Sequence, residues 1–390
     1  MSKWPIVALG DICELVGGGT PSRQVPEYFG GEIPWITPTD VTKLNGRYLH
    51  KGREGITESG LAKSSAKLLP PNSVLLTSRA TIGFTAINTA PVSTNQGFAN
   101  FICSKQILPE YLAHVLEWMR DDLISQASGA TFKEISKSSL KRIGIPLPPV
   151  GEQRRIVALL DRAADIRKRA EAGRVKARAI IPALFVDLFG DPATNPMGWD
   201  VVELGDVLDS AQYGTSQKAN EAGQGVPTIR MGNVTASGEL DTSNLKHIAL
   251  EGKEYLNAEL RAGDILFNRT NSKELVGKTG LWDGRFEAVA ASYFIRLRVN
   301  REKMTPEYVW CFMNTPHMKK VLFNTARGAI GQSNINAKEL RSFRLPLPTK
   351  ELQDRFAADL QTVEALVERC GKGLEMASAT QTALSAEVFG

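Results

Sequence analysis

Hydrophobic positions along this chain follow two rhythms. Through residues 1–150 and 191–350, apolar residues come in short runs broken by Gly, Pro, Asn and Thr. Val74–Leu76, Ile265–Phe267 and Phe294–Val299 are examples, and the pattern predicts short strands and tight turns. A helix is predicted to open at Pro109, because proline suits the first helical turn. Leu112, Val115, Leu116 and Met119 then follow at three–four spacing. A second short helix is expected near Lys133–Arg142, leading into an extended Ile143–Pro146 that prolines end.

Residues 152–189 and 352–389 contain almost no turn residues. In the first stretch Ile156, Leu159, Ala163, Ile166, Ala170, Gly173, Ala177, Ile180 and Leu184 alternate in steps of three and four, the seam of a coiled coil. The second shows Phe356, Val363, Leu366, Cys370, Gly373, Ala377 and Leu384, interrupted by Asp359 and Thr380. Gly173, Gly373, Ala177 and Ala377 would let two helix backbones approach closely. Pro182 is expected to kink or end the first helix.

The two rhythms recur because the chain repeats itself. Trp4…Leu9-Gly10-Asp11 lines up with Trp199…Leu204-Gly205-Asp206, an offset of 195 residues. Gly19-Thr20 falls on Gly214-Thr215, Val74-Leu75-Leu76 on Ile265-Leu266-Phe267, and Pro109-Glu110-Tyr111 on Pro306-Glu307-Tyr308. From Leu140 onward the offset settles at 200, carrying Pro146-Leu147-Pro148 onto Pro346-Leu347-Pro348 and Gln153 onto Gln353. The expected fold is α+β: two tandem globular α+β domains joined by two long antiparallel coiled-coil spacer helices, with a pseudo-twofold internal repeat. Its expected segments are 1–150, 151–190, 191–350 and 351–390.

The 390 residues carry 47 Lys+Arg and 42 Asp+Glu, a net charge of +5 that says little about nucleic acid. Its distribution says more. Residues 151–190 hold nine basic and five acidic residues, whereas residues 351–390 hold three and seven. Opposite charge favours pairing of the two helices. The globular stretches are only mildly basic, at +3 for 1–150 and +2 for 191–350, so weak DNA binding is expected of the chain alone. Apolar runs are too short to span a bilayer and Met1–Pro5 lacks the apolar stretch of a secretion signal, so a cytoplasmic protein is expected. Cys13, Cys103, Cys311 and Cys370 form no Cys-x-x-Cys pair and fit reduced thiols.

The opening Trp4…Leu9-Gly10-Asp11, the Gly17-Gly18-Gly19-Thr20-Pro21 turn and Ile145-Pro146-Leu147-Pro148-Pro149…Glu152-Gln153-Arg154-Arg155-Ile156 resemble the specificity subunit of type I restriction–modification enzymes. The likeness covers essentially the whole chain. In the second copy Leu352-Gln353 stands where the first has Glu152-Gln153. The resemblance implies two target-recognition domains, each reading half of a split, asymmetric site on double-stranded DNA. It also implies helical spacers that set the separation and hold two methyltransferase subunits and, through them, the restriction motor-nuclease. S-adenosylmethionine would then belong to the partner methyltransferase, with no cofactor in this chain.

The residues agree with a non-catalytic role. Asn195-Pro196-Met197-Gly198 fails at the third and fourth positions of the Asn/Asp-Pro-Pro-aromatic string that an adenine methyltransferase needs. Gly277-Lys278-Thr279 ends like a phosphate-binding loop, but Ser272 stands where the required glycine should be. Gly17–Gly19 reads as a permissive turn rather than a cofactor cradle. A self-contained methyltransferase or nuclease, and a scaffold without DNA specificity, are the rival readings. Reading bases takes Arg, Lys, Asn and Gln, while phosphates take Lys, Arg, Ser and Thr. DNA-contact candidates in the first domain are Thr20, Ser22, Arg23, Thr39, Ser78, Arg79, Thr81, Asn95, Gln96, Thr131 and Lys133, with Thr37 and Asp40 beside them. In the second they are Thr215, Gln217, Lys218, Arg230, Asn233, Arg269, Asn271, Lys273, Gln332 and Asn334, with Ser216 and Ser333 beside them. Partner docking is expected at Glu152, Gln153, Arg154 and Arg155.

Overall fold

The computed structural model describes residues 4–129, 132–329 and 332–390. Two compact units emerge. One holds the chain up to Ala170 together with Lys372–Gly390; the other holds Glu171–Gly371. Each contains a globular part, a stretch of one long helix and a stretch of the other.

In the first unit a five-stranded sheet runs in the order Cys13–Gly17, Phe98–Cys103, Val74–Thr77, Thr85–Asn88, Tyr48–Leu49. Its outermost pair, Tyr48–Leu49 on Thr85–Asn88, is parallel and the others antiparallel. Val74–Thr77 and Thr85–Asn88 are buried throughout. That is why Val74–Leu76 reads as a continuous rather than an alternating apolar run. A smaller sheet orders Glu54–Ile56, Phe29–Ile36 and Ser93–Thr94. The second unit repeats the plan with Leu208–Tyr213, Phe294–Val299, Ile265–Asn268 and Thr279–Leu281, and with Lys246–Ile248, Val226–Ile229 and Val289–Ala290. Its main sheet has four strands where the first unit has five.

The motifs of the repeat turn out to close each unit. Ile6–Ala8 pairs with Gly144–Pro146, and Asp200–Glu203 with Arg344–Leu347. Leu9 N–H then donates to Ile143 O at 2.9 Å, and Leu204 N–H to Phe343 O at 2.7 Å. A Cβ at Gly10 would come within 3.1 Å of Lys141, and at Gly205 within 3.2 Å of Arg341. Glycine follows leucine there because the chain passes tightly over the short helices Lys137–Arg142 and Ala337–Arg341. The first of these starts later than its sequence suggests, since Ser136 caps it by accepting from Ser139 N–H.

The helix-entry glutamines are equally structural. Gln153 Oε1 accepts from Leu108 N–H, and Gln153 Nε2 donates to Gln106 O and Pro148 O, all at 2.8 Å. Gln353 accepts from Thr305 N–H and donates to Pro348 O, both at 2.9 Å. Tyr111 and Tyr308 hydroxyls donate to Pro146 O and Pro346 O at 2.8 and 2.9 Å. The Pro-Glu-Tyr and Gln motifs thus lock each long helix to the helix beginning at Pro109 or Pro306.

The long helices span Val150–Phe189 and Lys350–Phe389. Pro182 lies inside the first and does not end it. In each unit the start of one helix packs beside the end of the other, so the pairing is antiparallel. Ile156 and Leu160 share a core with Tyr111, Leu112 and Phe389 in the first unit. In the second, Phe185 and Phe189 meet Phe356 at 5.8 and 5.4 Å and Tyr308 at 5.3 and 4.8 Å between ring centres.

The seam is shifted from the expected one. Ile156, Leu160, Ala163, Ala177 and Ile181 are buried, while Leu159, Ile166 and Ile180 are exposed. The steps run four–three rather than three–four, and Phe356, Leu360, Val363 and Val367 obey the same order. Apolar doublets (Leu159-Leu160, Ile180-Ile181) made the two phases indistinguishable. The small residues do sit at close approaches: a Cβ at Gly173 would lie 3.2 Å from Cys370 Sγ, and Ala177 and Ala377 are buried. Among the described residues, no helix is long and apolar enough to cross a membrane.

Candidate nucleic-acid interface

In the first unit, polar segments far apart in sequence converge on one rim. Gly19 N–H donates to Thr94 O at 2.9 Å, and the Thr20 hydroxyl donates to the Gln96 side chain. Ser78 N–H donates to Gly97 O at 2.8 Å, Ala80 N–H to Lys133 O at 2.9 Å, and Asn95 N–H to Ile36 O at 3.0 Å. Thr20, Ser78–Thr81, Asn95-Gln96, Lys133 and the Thr37–Asp40 turn are thereby gathered together. The glycines permit this by lacking a side chain rather than by taking up positive φ. A Cβ at Gly18 would sit 1.8 Å from Asn95 O, and at Gly19 2.2 Å from Ala66 N. Gly214 plays the same part, with Ala290 O and Ala291 O each 2.3 Å from where its Cβ would be.

The rim's side chains divide into those held ready and those already spent. Arg79 is half-exposed, with its guanidinium 5.7 Å from the Phe132 ring centre and 3.7 Å from Glu134. Ser22, Thr81, Gln96 and Lys133 are exposed. Arg23 stacks on Phe29 at 4.3 Å and pairs with Glu54 at 2.8 Å. Ser78 is a correction to the expected contacts: it is buried, and its hydroxyl donates to Gly97 O. Thr39 is half-buried and caps nothing, its carbonyl accepting from Lys43 N–H and the Thr42 hydroxyl. Thr37 and Asp40 form a reciprocal cap. Burial pushes the Asp40 carboxyl up, but bonds from Thr37 and Arg53 outweigh it and hold the pKa below the usual carboxylate value. Asn95 Oδ1 accepts from Gly97 N–H at 2.9 Å. Thr131 lies outside the described residues.

The second unit assembles a matching rim. Thr215 N–H donates to Ala290 O at 2.8 Å, Ser292 N–H to Thr215 O at 2.7 Å, and Ile335 N–H to Arg269 O at 3.0 Å. Arg269 lies 4.8 Å from the centre of the half-exposed Tyr213 ring, and its Nε donates to Ser292 O at 3.2 Å. Lys218 and Asn334 are exposed, and Lys273 lies 4.5 Å over the Phe323 ring. Gln217 donates to Glu254 at 2.7 Å. Arg230 donates to Asn244 O at 3.1 Å. Asn233 is buried and bonded to Arg230 N–H, Asp241 O and Asn244 O, so it shapes the turn and cannot read a base from there. Asn271 is committed at both ends, to Asn268 and to Ser272 N–H. Gln332 is placed by its backbone in the strand Gln332–Asn334.

Stacking aromatics were missing from the expected set. Phe132, Tyr213, Tyr293 and Phe323 are 56%, 48%, 43% and 43% exposed. Their signal in the sequence is position: Tyr213 and Phe132 stand at loop edges next to candidates, outside any apolar run. The Gly277-Lys278-Thr279 string holds no phosphate cradle, because Lys278 Nζ donates to Met231 O and Val234 O. At the helix entry Arg154 and Arg155 are exposed, and Arg155 pairs with Glu152 at 2.8 Å. Gln153 is a further correction. It is fully buried with its amide committed inside the unit, so no partner reaches it.

The family model described as type I restriction modification DNA specificity domain matches residues 1–174 and again 196–373. The type I restriction enzyme MjaIX specificity subunit of Methanocaldococcus jannaschii is 31% identical over 292 residues, covering 70% of this chain and 65% of that protein. A second protein of that organism, the putative MjaX specificity subunit, is 28% identical over 50% of this chain and 46% of its own length. The chain thus spans less than two thirds of these two relatives. The EcoKI specificity subunit of Escherichia coli strain K12 is 24% identical over 99% of this chain and 87% of its own. Among solved structures, the S subunit of the M. genitalium type I system superimposes with a TM-score of 0.62 at 12% identity, over 100% of this chain and 96% of that one. A chain from a structure of a type I R-M system gives 0.61 at 19% identity, over 99% and 97%. These two likenesses establish the fold.

Proposed function

The chain belongs to the type I restriction–modification DNA specificity family, and from that premise we propose that it is the DNA-reading subunit of a type I restriction–modification complex. One observation carries the reading. In both units, candidates scattered over more than a hundred residues are drawn to a single rim by backbone hydrogen bonds, and each rim presents an arginine within 6 Å of the centre of a partly exposed aromatic ring. A guanidinium resting over a ring is restrained, which leaves its remaining donors to a guanine edge or a phosphate. The two rims differ in their side chains, so the two halves of the bipartite site differ in sequence.

Catalysis falls, in this reading, to partner methyltransferase subunits, two per complex. They bind S-adenosylmethionine and extrude the target adenine; a motor-nuclease subunit restricts unmodified DNA. Glu152, Arg154 and Arg155 at the start of the first long helix, with the two arginines outward, form the docking face we assign to a methyltransferase. The complex works on double-stranded DNA in the cytoplasm. The test is methylome sequencing of cells carrying this chain with its cognate methyltransferase. A split, asymmetric motif supports the reading. Unmethylated DNA, or methyl transfer by the purified chain alone, overturns it.

A further inference from the structure

Comparing the two units strand by strand exposes a vacancy in the second. In the first, the sheet edge Thr85–Asn88 is covered by a fifth strand. Ile87 N–H donates to Arg47 O at 2.8 Å and Thr89 N–H to Leu49 O at 3.0 Å. The covering segment is tied down by its side chains: Arg47 pairs with Asp161 at 2.8 Å, and the Tyr48 hydroxyl donates to Glu110 at 2.9 Å.

Register matches Val74 with Ile265 and Ile87 with Leu281. Yet Thr279–Leu281 is the last strand of its sheet. The residues that would cover it turn back on themselves, Val234 bridging to Leu240, and Trp310 Nε1 fastens Gly238 O at 3.1 Å. Asn314 Nδ2 donates to Thr279 O at 2.9 Å, and among the described residues no strand pairs with Leu281 on the side away from Ile265. The edge instead faces a cleft of about 830 Å³, which Leu281, Trp282 and Asp283 line along with Glu239, Glu307 and Glu364.

We infer that this edge is a docking site for an extended, basic segment of a partner protein, which adds to the sheet as its missing fifth strand. Sheet edges recruit strands through main-chain hydrogen bonds and choose them by side-chain pockets. Charge sets the choice here. Glu307 corresponds to Glu110, which anchors the covering strand in the first unit. Glu364 is half-buried and has no hydrogen bond or salt bridge among the described residues. The neighbouring Arg178 and Arg285 are already paired, with Glu239 at 2.9 Å and Asp283 at 2.6 Å. Burial raises the Glu364 carboxyl, and the charges of Arg178 and Arg285 offset this only in part, which leaves room for a closer cation. An arginine or lysine entering the cleft supplies that cation, as Arg47 does for Asp161. Five acids, Glu239, Asp283, Glu307, Glu364 and Glu368, outnumber the three arginines of the lining, Arg178, Arg285 and Arg301, so the cleft favours a basic segment over a nucleic-acid backbone.

The probe is a fluorescein-labelled peptide Asn-Gly-Arg-Tyr-Leu-His-Lys, this chain's own residues 45–51, titrated into the full-length chain. Anisotropy reports binding, and amide hydrogen exchange reports protection at Leu281. Saturable binding is expected, with slowed exchange at Leu281. Affinity should fall at least about ten-fold when the peptide arginine becomes glutamate, or when the chain carries Glu364→Lys. The altered peptide keeps the test decisive even if that variant folds poorly. No binding up to about 1 mM, the weak end of useful recognition, overturns the proposal. So does binding that leaves Leu281 unprotected or ignores both charge reversals.

Discussion

Arg79 and Arg269 stand at the ends of matching strands, and each meets an aromatic ring that the sequence places in a different loop. If they read DNA, Arg269→Ala should cost about 1–3 kcal/mol of discrimination at a single base position. Arg269→Lys should recover little, since lysine lacks the flat fork that stacks. Competition binding by the assembled methyltransferase complex on single-base variants of its site checks this. A uniform loss across all variants would make Arg269 a phosphate contact. Residue roles were the least legible part of the sequence. Gln153 and Asn233 carry side chains suited to recognition, but both are buried and consumed by main-chain groups. Residue type gives donor capacity; only packing decides whether it faces inward.

Lys319 adds a prediction in pH. Burial and the neighbouring Lys278 push its pKa down to about 8, against about 10.4 in an unfolded chain. Between these values the unfolded state holds more protons, so the contribution to stability rises with pH through that window and is least favourable below about 8. Lys319→Met should therefore be more stable than wild type at pH 7, by up to about 3 kcal/mol less the contribution of the lost hydrogen bond from Lys319 Nζ to Gly277 O at 3.1 Å. The advantage should shrink toward pH 10. Parallel thermal melts at both pH values test the sign.

At the level of elements, the sequence predicted helices, strands and repeat well because periodicity and self-similarity are local properties. The heptad phase escaped it. Leu159-Leu160 and Ile180-Ile181 offer an apolar side chain to either of two seams, and the choice rests on Phe389, Tyr111 and Phe356, which are distant in sequence. The glycines on the seam can now be told apart. A Cβ at Gly373 would lie 3.9 Å from Ala170 Cβ, an ordinary contact, while one at Gly173 would press on Cys370 Sγ at 3.2 Å. Gly373→Ala should gain about 0.8–1 kcal/mol from helix propensity. Gly173→Ala should gain less, because Cys370 must yield. Urea unfolding of the two variants measures the difference, and equal gains would show that the 3.2 Å approach relaxes without cost.

For the molecule as a whole, duplication should allow the two proposed readers to be exchanged separately. Replacing residues 1–150 with the corresponding part of another specificity subunit should alter one half of the methylated motif and spare the other. The structure sets a condition on that graft. The first unit's core does not stop at residue 150: Tyr111 packs on Phe389 at 5.7 Å, and Ile156 and Leu160 share its cluster. A donor domain must bring side chains that fit Ile156, Leu160 and Phe389, or keep the recipient's Pro109–Trp118 helix. It must also preserve the Leu108 N–H and Gln106 O that Gln153 binds. Grafts meeting these conditions should fold and switch one half-site; grafts violating them should fail through instability, seen as a lowered melting temperature. A well-folded graft that changes both halves of the motif would show that the units do not read DNA independently.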